Sequence, residues 1–145
     1  MAIIAHICRA YARDEESLQD LIQEVSLQLW RSHQSFEGKS QKSTWVYRVT
    51  LNVCLSQAKK LSQRVDTIPL EYQERADQKD ETEKEKMDKL QWAIRQLNES
   101  DRAVILLYLE DKSYKEMSDI LGITVSNVGV KVTRLKDKLK TLIHG

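Results

Sequence analysis

Between Ser113 and Leu142 the chain carries two apolar stripes at helical spacing, separated by a single glycine. Tyr114, Met117, Ile120 and Leu121 make the first stripe, and Gly122 interrupts it. Val125, Val128, Val132, Leu135, Leu139 and Leu142 make the second, at intervals of 3, 4, 3, 4 and 3. Such spacing keeps one face of a helix apolar for about five turns and is incompatible with the alternation of a half-buried strand. A short helix, a glycine turn and a longer helix form the helix-turn-helix arrangement. A helical hairpin of another kind can share that spacing, so the stripe fixes helices before it fixes a function.

The rest of the chain agrees with helices. Four Gly and one Pro punctuate 145 residues, and runs of β-branched or aromatic residues are few, which favours helix over sheet. A first helix, about Ala2 to Tyr11, starts almost at Met1 and reads as cut short. Leu18, Leu21, Ile22, Val25 and Leu29 define a second, with Asp14 or Ser17 as its cap. Trp30 closes it before a polar stretch in which Gly38 marks a loop. A third helix covers about Ser43 to Leu61, with Trp45, Val46, Val49 and Val53 inward and Tyr47, Arg48, Asn52 and Lys59 left for solvent or a partner. Met87, Leu90, Ile94 and Leu97 mark a fourth; Ala103, Ile105, Leu106 and Leu109 mark a fifth.

Pro69 and the charge run from Glu74 to Lys86 read as a solvated linker between these groups. The expected fold class is therefore all-α, two small helical domains joined by a flexible charged linker. The boundaries fall at 1–62, 63–84 and 85–145.

Net charge is only +1, but it is segregated. Residues 31–64 set seven Lys or Arg against Glu37 alone, and residues 111–145 set seven against four acids. Residues 1–30 and 65–90 are net acidic. The two basic blocks are the candidate polyanion surfaces. No apolar run approaches the roughly 20 residues that span a bilayer, and no leader opens the chain, so a cytoplasmic protein without membrane insertion is expected. Cys8 and Cys54 read as reduced thiols used in packing. Neither zinc-ligand spacing, a phosphate-binding glycine loop nor a nucleophile motif is present, so no metal, cofactor or enzymatic activity is expected.

The chemistry of the two basic blocks points to DNA. On the last helix Ser126, Asn127, Lys131, Thr133, Arg134 and Lys138 face outward, with Gly129 among them. Short hydroxyls and an amide at a helix start reach base edges or phosphates; Lys131 and Arg134, one turn on, suit phosphates or guanine edges. The basic residues gather after the turn, while Asp111, Glu116 and Asp119 precede it. In the earlier block Phe36, Trp45, Tyr47 and Arg48 stand among Lys39, Lys42, Lys59 and Lys60. Aromatic faces beside cations suit single-stranded DNA, whose exposed bases stack at about 1–3 kcal/mol each. Trp45 also reads naturally as a core residue of a small helical module.

These segments resemble the extracytoplasmic-function group of sigma-70 factors. Asp20-Leu-Ile-Gln-Glu-Val25 followed by Leu29-Trp30-Arg31 is similar to that family's core-polymerase-binding helix. Phe36-Glu-Gly38, Ser43-Thr-Trp-Val-Tyr-Arg-Val49 and Asn52 resemble its melting and −10-recognition segment. Leu97-Asn-Glu-Ser-Asp-Arg102, Tyr114 to Ile123 and Val125-Ser-Asn-Val128 resemble its −35-reading module. The resemblance covers nearly the whole chain, in the family's order. It implies that Asp20, Gln23 and Glu24 engage the clamp helices of the polymerase, and that Phe36, Tyr47, Arg48 and Asn52 handle the −10 strand. It also implies that Ser126, Asn127, Lys131, Thr133 and Arg134 read the −35 element.

The implied function is an alternative sigma factor directing promoter recognition and transcription initiation. Its implied partners are core RNA polymerase, promoter DNA and an anti-sigma factor, with the free chain a monomer. The alternative is a helix-turn-helix regulator, or a truncated sigma-like protein, that does not initiate transcription.

Overall fold

The structure, a computed structural model, describes residues 2–33, 42–62 and 82–144. Every regular element among them is helical: α1 (Ala2–Tyr11), α2 (Glu15–Ser32), α3 (Lys42–Ser62), α4 (Glu83–Arg95), α5 (Glu99–Leu109), α6 (Tyr114–Leu121) and α7 (Val125–His144). This is the expected all-α class. Helices α1, α2 and α3 pack mutually, and α7 packs on α4, α5 and α6.

Local chemistry sets the helix ends. At α2 both candidate caps act together: the Asp14 carboxylate accepts from the Ser17 amide at 2.8 Å, and the Ser17 hydroxyl accepts from the Asp14 amide at 3.1 Å. Leu18, Leu21 and Val25 are buried as the stripe requires. The helix runs two residues past Trp30, whose side chain is 81% exposed rather than closing the element. Helix α4 begins inside the expected linker, because Thr82 and Glu85 form a second capping box. The rest of that linker, residues 63–81, lies outside the described residues.

The helix-turn-helix follows its sequence pattern closely. The Ser113 hydroxyl caps α6 by accepting from the Glu116 amide at 3.1 Å. Gly122 ends the helix in the left-handed region at φ 71°, where a side chain is strained. The Thr124 hydroxyl then accepts from the Asn127 amide at 3.1 Å and starts α7. Met117, Ile120, Val128, Val132, Leu135 and Leu139 are buried, closing the two stripes on each other. Helix α5 is central: Ala103 to Leu107 are buried consecutively, because α3, α4, α6 and α7 all pack on it. Of the apolar residues expected on the fourth and fifth helices, Met87 of α4 and Leu109 of α5 remain exposed.

Two expectations about α3 need correction. Tyr47, expected outward, is 2% exposed, while Trp45, Val46 and Val49 are only half-buried. The deeply buried residues are Tyr47, Thr50, Leu51, Val53 and Cys54. The reason is that α3 has two packed sides. One faces α1 and α2; the other faces α5 and α6 of the second group. Arg48, also expected outward, stays exposed but is tied across to α6.

The two groups of helices therefore share an interface in place of a mere tether. The last turn of α1 leaves carbonyls with no partner within the helix, and arginines of the second group supply donors. Arg95 donates to the Ala12 and Arg9 carbonyls, both at 3.0 Å. Arg102 donates to the Ala10 carbonyl at 3.0 Å and, at 3.1 Å, to the Arg95 and Leu97 carbonyls of its own group. The Tyr11 hydroxyl donates to the Glu99 carbonyl at 2.7 Å, and the Arg102 guanidinium lies 5.0 Å from the Tyr11 ring centre.

Candidate nucleic-acid interface

The outward face of α7 is the best-formed basic surface. Ser126, Asn127, Thr133 and Arg134 are exposed and Lys131 is half-buried. The caps of the preceding turn fix the direction in which α7 starts, and its apolar stripe fixes its rotation. Thr133 spends its hydroxyl hydrogen on the Gly129 carbonyl at 3.0 Å, so its oxygen is left to accept. Gly129 faces the Tyr114 ring, which comes within 3.6 Å of where a Cβ would stand. Sequence reading left that position blank; an aromatic edge from α6 borders it. Lys131, Arg134 and Lys138 line a shallow concavity with the first turn of α5. There Arg134 Nη2 lies 3.6 Å from the Asp101 carboxylate.

The second surface, on α2 and α3, is divided. Asp20 and Gln23 are exposed, and Glu24 is half-buried with its carboxylate accepting from Gln28 at 3.1 Å. Asn52 is exposed and shares a polar cleft between α2 and α3 with Glu24, Gln28 and Lys60. Leu27 and Trp30 continue the stripe begun by Asp20 and Gln23, at 42% and 81% exposure. Sequence reading placed Trp30 at a helix end and left Leu27 unassigned, although positions 20, 23, 27 and 30 share a helix face. Phe36 lies outside the described residues.

Tyr47 and Arg48 both lie on the side of α3 that meets the second group: Tyr47 is buried there, while Arg48 stays exposed and bonds to α6. The Lys112 ammonium stands 4.8 Å from the Tyr47 ring centre. Burial raises the Tyr47 hydroxyl above its ordinary range, and Glu110 and Glu116 push the same way. Arg48 Nε donates to the Asp119 carbonyl at 2.8 Å. That carbonyl belongs to the last turn of α6, where a cation is favoured.

Among the described residues there is no group of three or more metal-ligating side chains, and no helix long and apolar enough to cross a membrane. Cys8 and Cys54 are buried, unpaired by a disulfide, with their sulfurs 3.9 Å apart.

Comparison with known proteins gives two family matches within the chain. Residues 2–64 match the family Sigma-70 region 2, and residues 87–139 match Sigma-70, region 4. The chain is 35% identical over 54 residues to the ECF RNA polymerase sigma factor SigG of Mycobacterium tuberculosis, a match covering 37% of this chain and only 14% of SigG. It is 29% identical over 135 residues to the RNA polymerase sigma factor SigZ of Bacillus subtilis, covering 91% of this chain and 76% of SigZ. In backbone it is similar to the sigma factor RpoE of Bartonella quintana, solved in complex with the anti-sigma factor NepR. That likeness has a TM-score of 0.74 at 20% identity and covers 97% of this chain and 89% of RpoE. The chain belongs to the sigma-70 family of RNA polymerase sigma factors, in its extracytoplasmic-function group.

Proposed function

We propose that this protein is an alternative sigma factor that binds core RNA polymerase and directs it to promoters. The observation that carries the reading is the order of the matches: a region 2 segment on α1–α3, then a region 4 segment ending in a helix-turn-helix with a basic outer face. In this reading 1–62 is the core-binding and −10 module, 63–84 the connection and 85–145 the −35 module.

Asp20, Gln23 and Glu24 meet the polymerase. Phe36, Tyr47, Arg48 and Asn52 handle the non-template strand at −10, where extruding a base costs a few kcal/mol and needs a stacking surface in return. Ser126, Asn127, Lys131, Thr133 and Arg134 read the −35 duplex. Nucleotide addition belongs to core polymerase; this chain supplies promoter choice and helps open the duplex. It acts in the cytoplasm as a monomer, and by analogy with the RpoE–NepR pair an anti-sigma factor is a further partner.

The test is run-off transcription sequencing on genomic DNA, with core polymerase alone and with the protein added. New start sites that share paired upstream elements are expected. Core binding without new starts would mean a sigma-like regulator, and no core binding would overturn the reading.

A further inference from the structure

Val130 has no place in the core. It is 66% exposed, and among the described large apolar side chains only Trp30 is more so. Its neighbours Val128 and Val132 are fully buried. At about 100° per residue, Val130 falls on the opposite side of α7 from them and from Leu135 and Leu139. Ser126 and Asn127 flank it one turn earlier, Thr133 and Arg134 one turn later, and each is exposed. An aliphatic side chain thus stands at the centre of the polar face assigned to the −35 duplex. Helix formation does not ask for it, because valine is a poorer helix former than the lysine, arginine or alanine that suit an exposed position.

The chemistry of the major groove gives that side chain one suitable target. Base edges there present hydrogen-bond donors and acceptors, and a single apolar group, the C5 methyl of thymine. Valine neither donates nor accepts. Against the amino group of cytosine or adenine it displaces water without replacing the bond, and an unmatched donor weakens binding. Against thymine it sets methyl on methyl. β-Branching leaves valine one strongly preferred χ1 rotamer in a helix, so its methyls are held in position before DNA arrives. The polar neighbours fall to adjacent base pairs and phosphates. Val130 and Arg134 are separated by about 6 Å along the helix axis, equal to about two base-pair steps.

We propose that Val130 is a specificity-determining residue for the −35 element and selects a thymine there through its C5 methyl. This rests on the assignment of α7 to the −35 duplex and adds which base its centre favours. The selected thymine lies within about two base pairs of the position that Arg134 reaches.

The experiment uses holoenzyme assembled from core polymerase and the full chain, on a promoter found by run-off mapping. Each thymine of the −35 element, on either strand, is replaced in turn by deoxyuridine, which lacks only the C5 methyl. One replacement is expected to raise the half-saturating holoenzyme concentration about 3- to 10-fold, the effect of exposing one methyl contact. Holoenzyme carrying Val130→Ala is expected to bind the unsubstituted promoter more weakly by a similar factor. Uracil at the selected position then changes its binding by less than about 2-fold, while uracil elsewhere acts as it does on the unmodified protein. Selection from a library randomised across the −35 element is expected to return the thymine with the unmodified protein and to lose it with Val130→Ser, other positions being kept. Both variants keep a melting temperature within a few degrees of the unmodified chain, since residue 130 is exposed.

If no uracil position depends on the residue at 130, the proposal is overturned, and it is overturned equally if Val130→Ser selects the same −35 element. Neither result touches the sigma-factor reading, which fails separately if the unmodified protein supports no transcription with core polymerase at saturating concentration.

Discussion

Arg134 on α7 is held 3.6 Å from the Asp101 carboxylate of α5, with the guanidinium side chain 62% exposed and the acid 12% exposed. The pair aims the arginine along the outer face of the helix while leaving part of its donor fork open. An ion pair this exposed on one side adds little to stability, of the order of 0–1 kcal/mol. Its value lies in direction.

Arg134→Ala is therefore expected to leave the melting temperature within a few degrees while weakening −35 recognition about 5- to 150-fold, the range of one bidentate base contact. Core binding is unchanged. The check is promoter-dependent transcription beside a core-binding titration; an equal loss in both would show that α7 does not act as a separate surface.

Asp20→Ala with Glu24→Ala is expected to do the reverse, weakening core association while leaving promoter preference intact among the complexes that still form. Trp30 belongs to the same test. An indole 81% exposed on the stripe of Asp20 and Gln23 stabilises nothing in the folded chain that its removal could cost. If the stripe meets polymerase, Trp30→Ala weakens core binding by about 2 kcal/mol or more, as buried tryptophans at interfaces do, with no change in melting temperature. A melting temperature that moves while core binding does not would assign the indole to folding instead.

How far the sequence shows all this depends on how local each cause is. The α6–Gly122–α7 stripe, the Asp14–Ser17 cap and the extent of α1 rest on neighbours within four residues, and all were readable. The inner face of α3 was not. A helix packed on two sides has no single apolar stripe, and the partners that bury Tyr47 are Lys112 and the rest of the α5–α6 corner, more than 60 positions away. The same holds for Arg95 and Arg102: nothing near either in the chain signals that it caps the end of α1. Charge segregation marked the two basic blocks, but it carries no information on whether folding leaves both of them open.

Alkaline pH tests the α1 junction. Burial raises the Tyr11 hydroxyl above the ordinary tyrosine range, opposed by Arg102. A group whose folded pKa is raised contributes stability that is fully present below its unfolded value, near 10, and lost as pH climbs toward the folded one. Denaturation midpoints are expected to fall as pH rises above about 10, and to fall less steeply in Tyr11→Phe, which has no such proton to lose. At lower pH Tyr11→Phe is less stable by about 1 kcal/mol, for the lost bond to the Glu99 carbonyl. Parallel pH profiles for the two proteins would remove Tyr11 from the account.

Arg102→Ala is expected to cost about 2–4 kcal/mol, because the carbonyls of Ala10, Arg95 and Leu97 lose a charged donor at once. Arg102→Lys recovers only part of this, since a single ammonium cannot follow the planar fork. Urea denaturation of the three proteins decides it. Full recovery by lysine would reduce the role of Arg102 to charge alone.

The two glycines of the helix-turn-helix give opposite signs for one substitution. Gly122 sits at φ 71° with open space around its Cα, so a methyl group meets nothing, yet the backbone itself resists. Gly122→Ala is expected to destabilise by about 1–2 kcal/mol. Gly129 lies inside α7, and a Cβ there comes into ordinary van der Waals contact with the Tyr114 ring at 3.6 Å. Alanine restores about 1 kcal/mol of helix propensity at that position without a clash. Gly129→Ala is thus expected to raise the thermal midpoint by a few degrees while Gly122→Ala lowers it. Because Gly129 borders the proposed −35 face, the same variant asks whether the gap matters for DNA. An unchanged promoter preference means that the Tyr114 edge already fills it; a changed one means that the bases pass close to the bare backbone of α7.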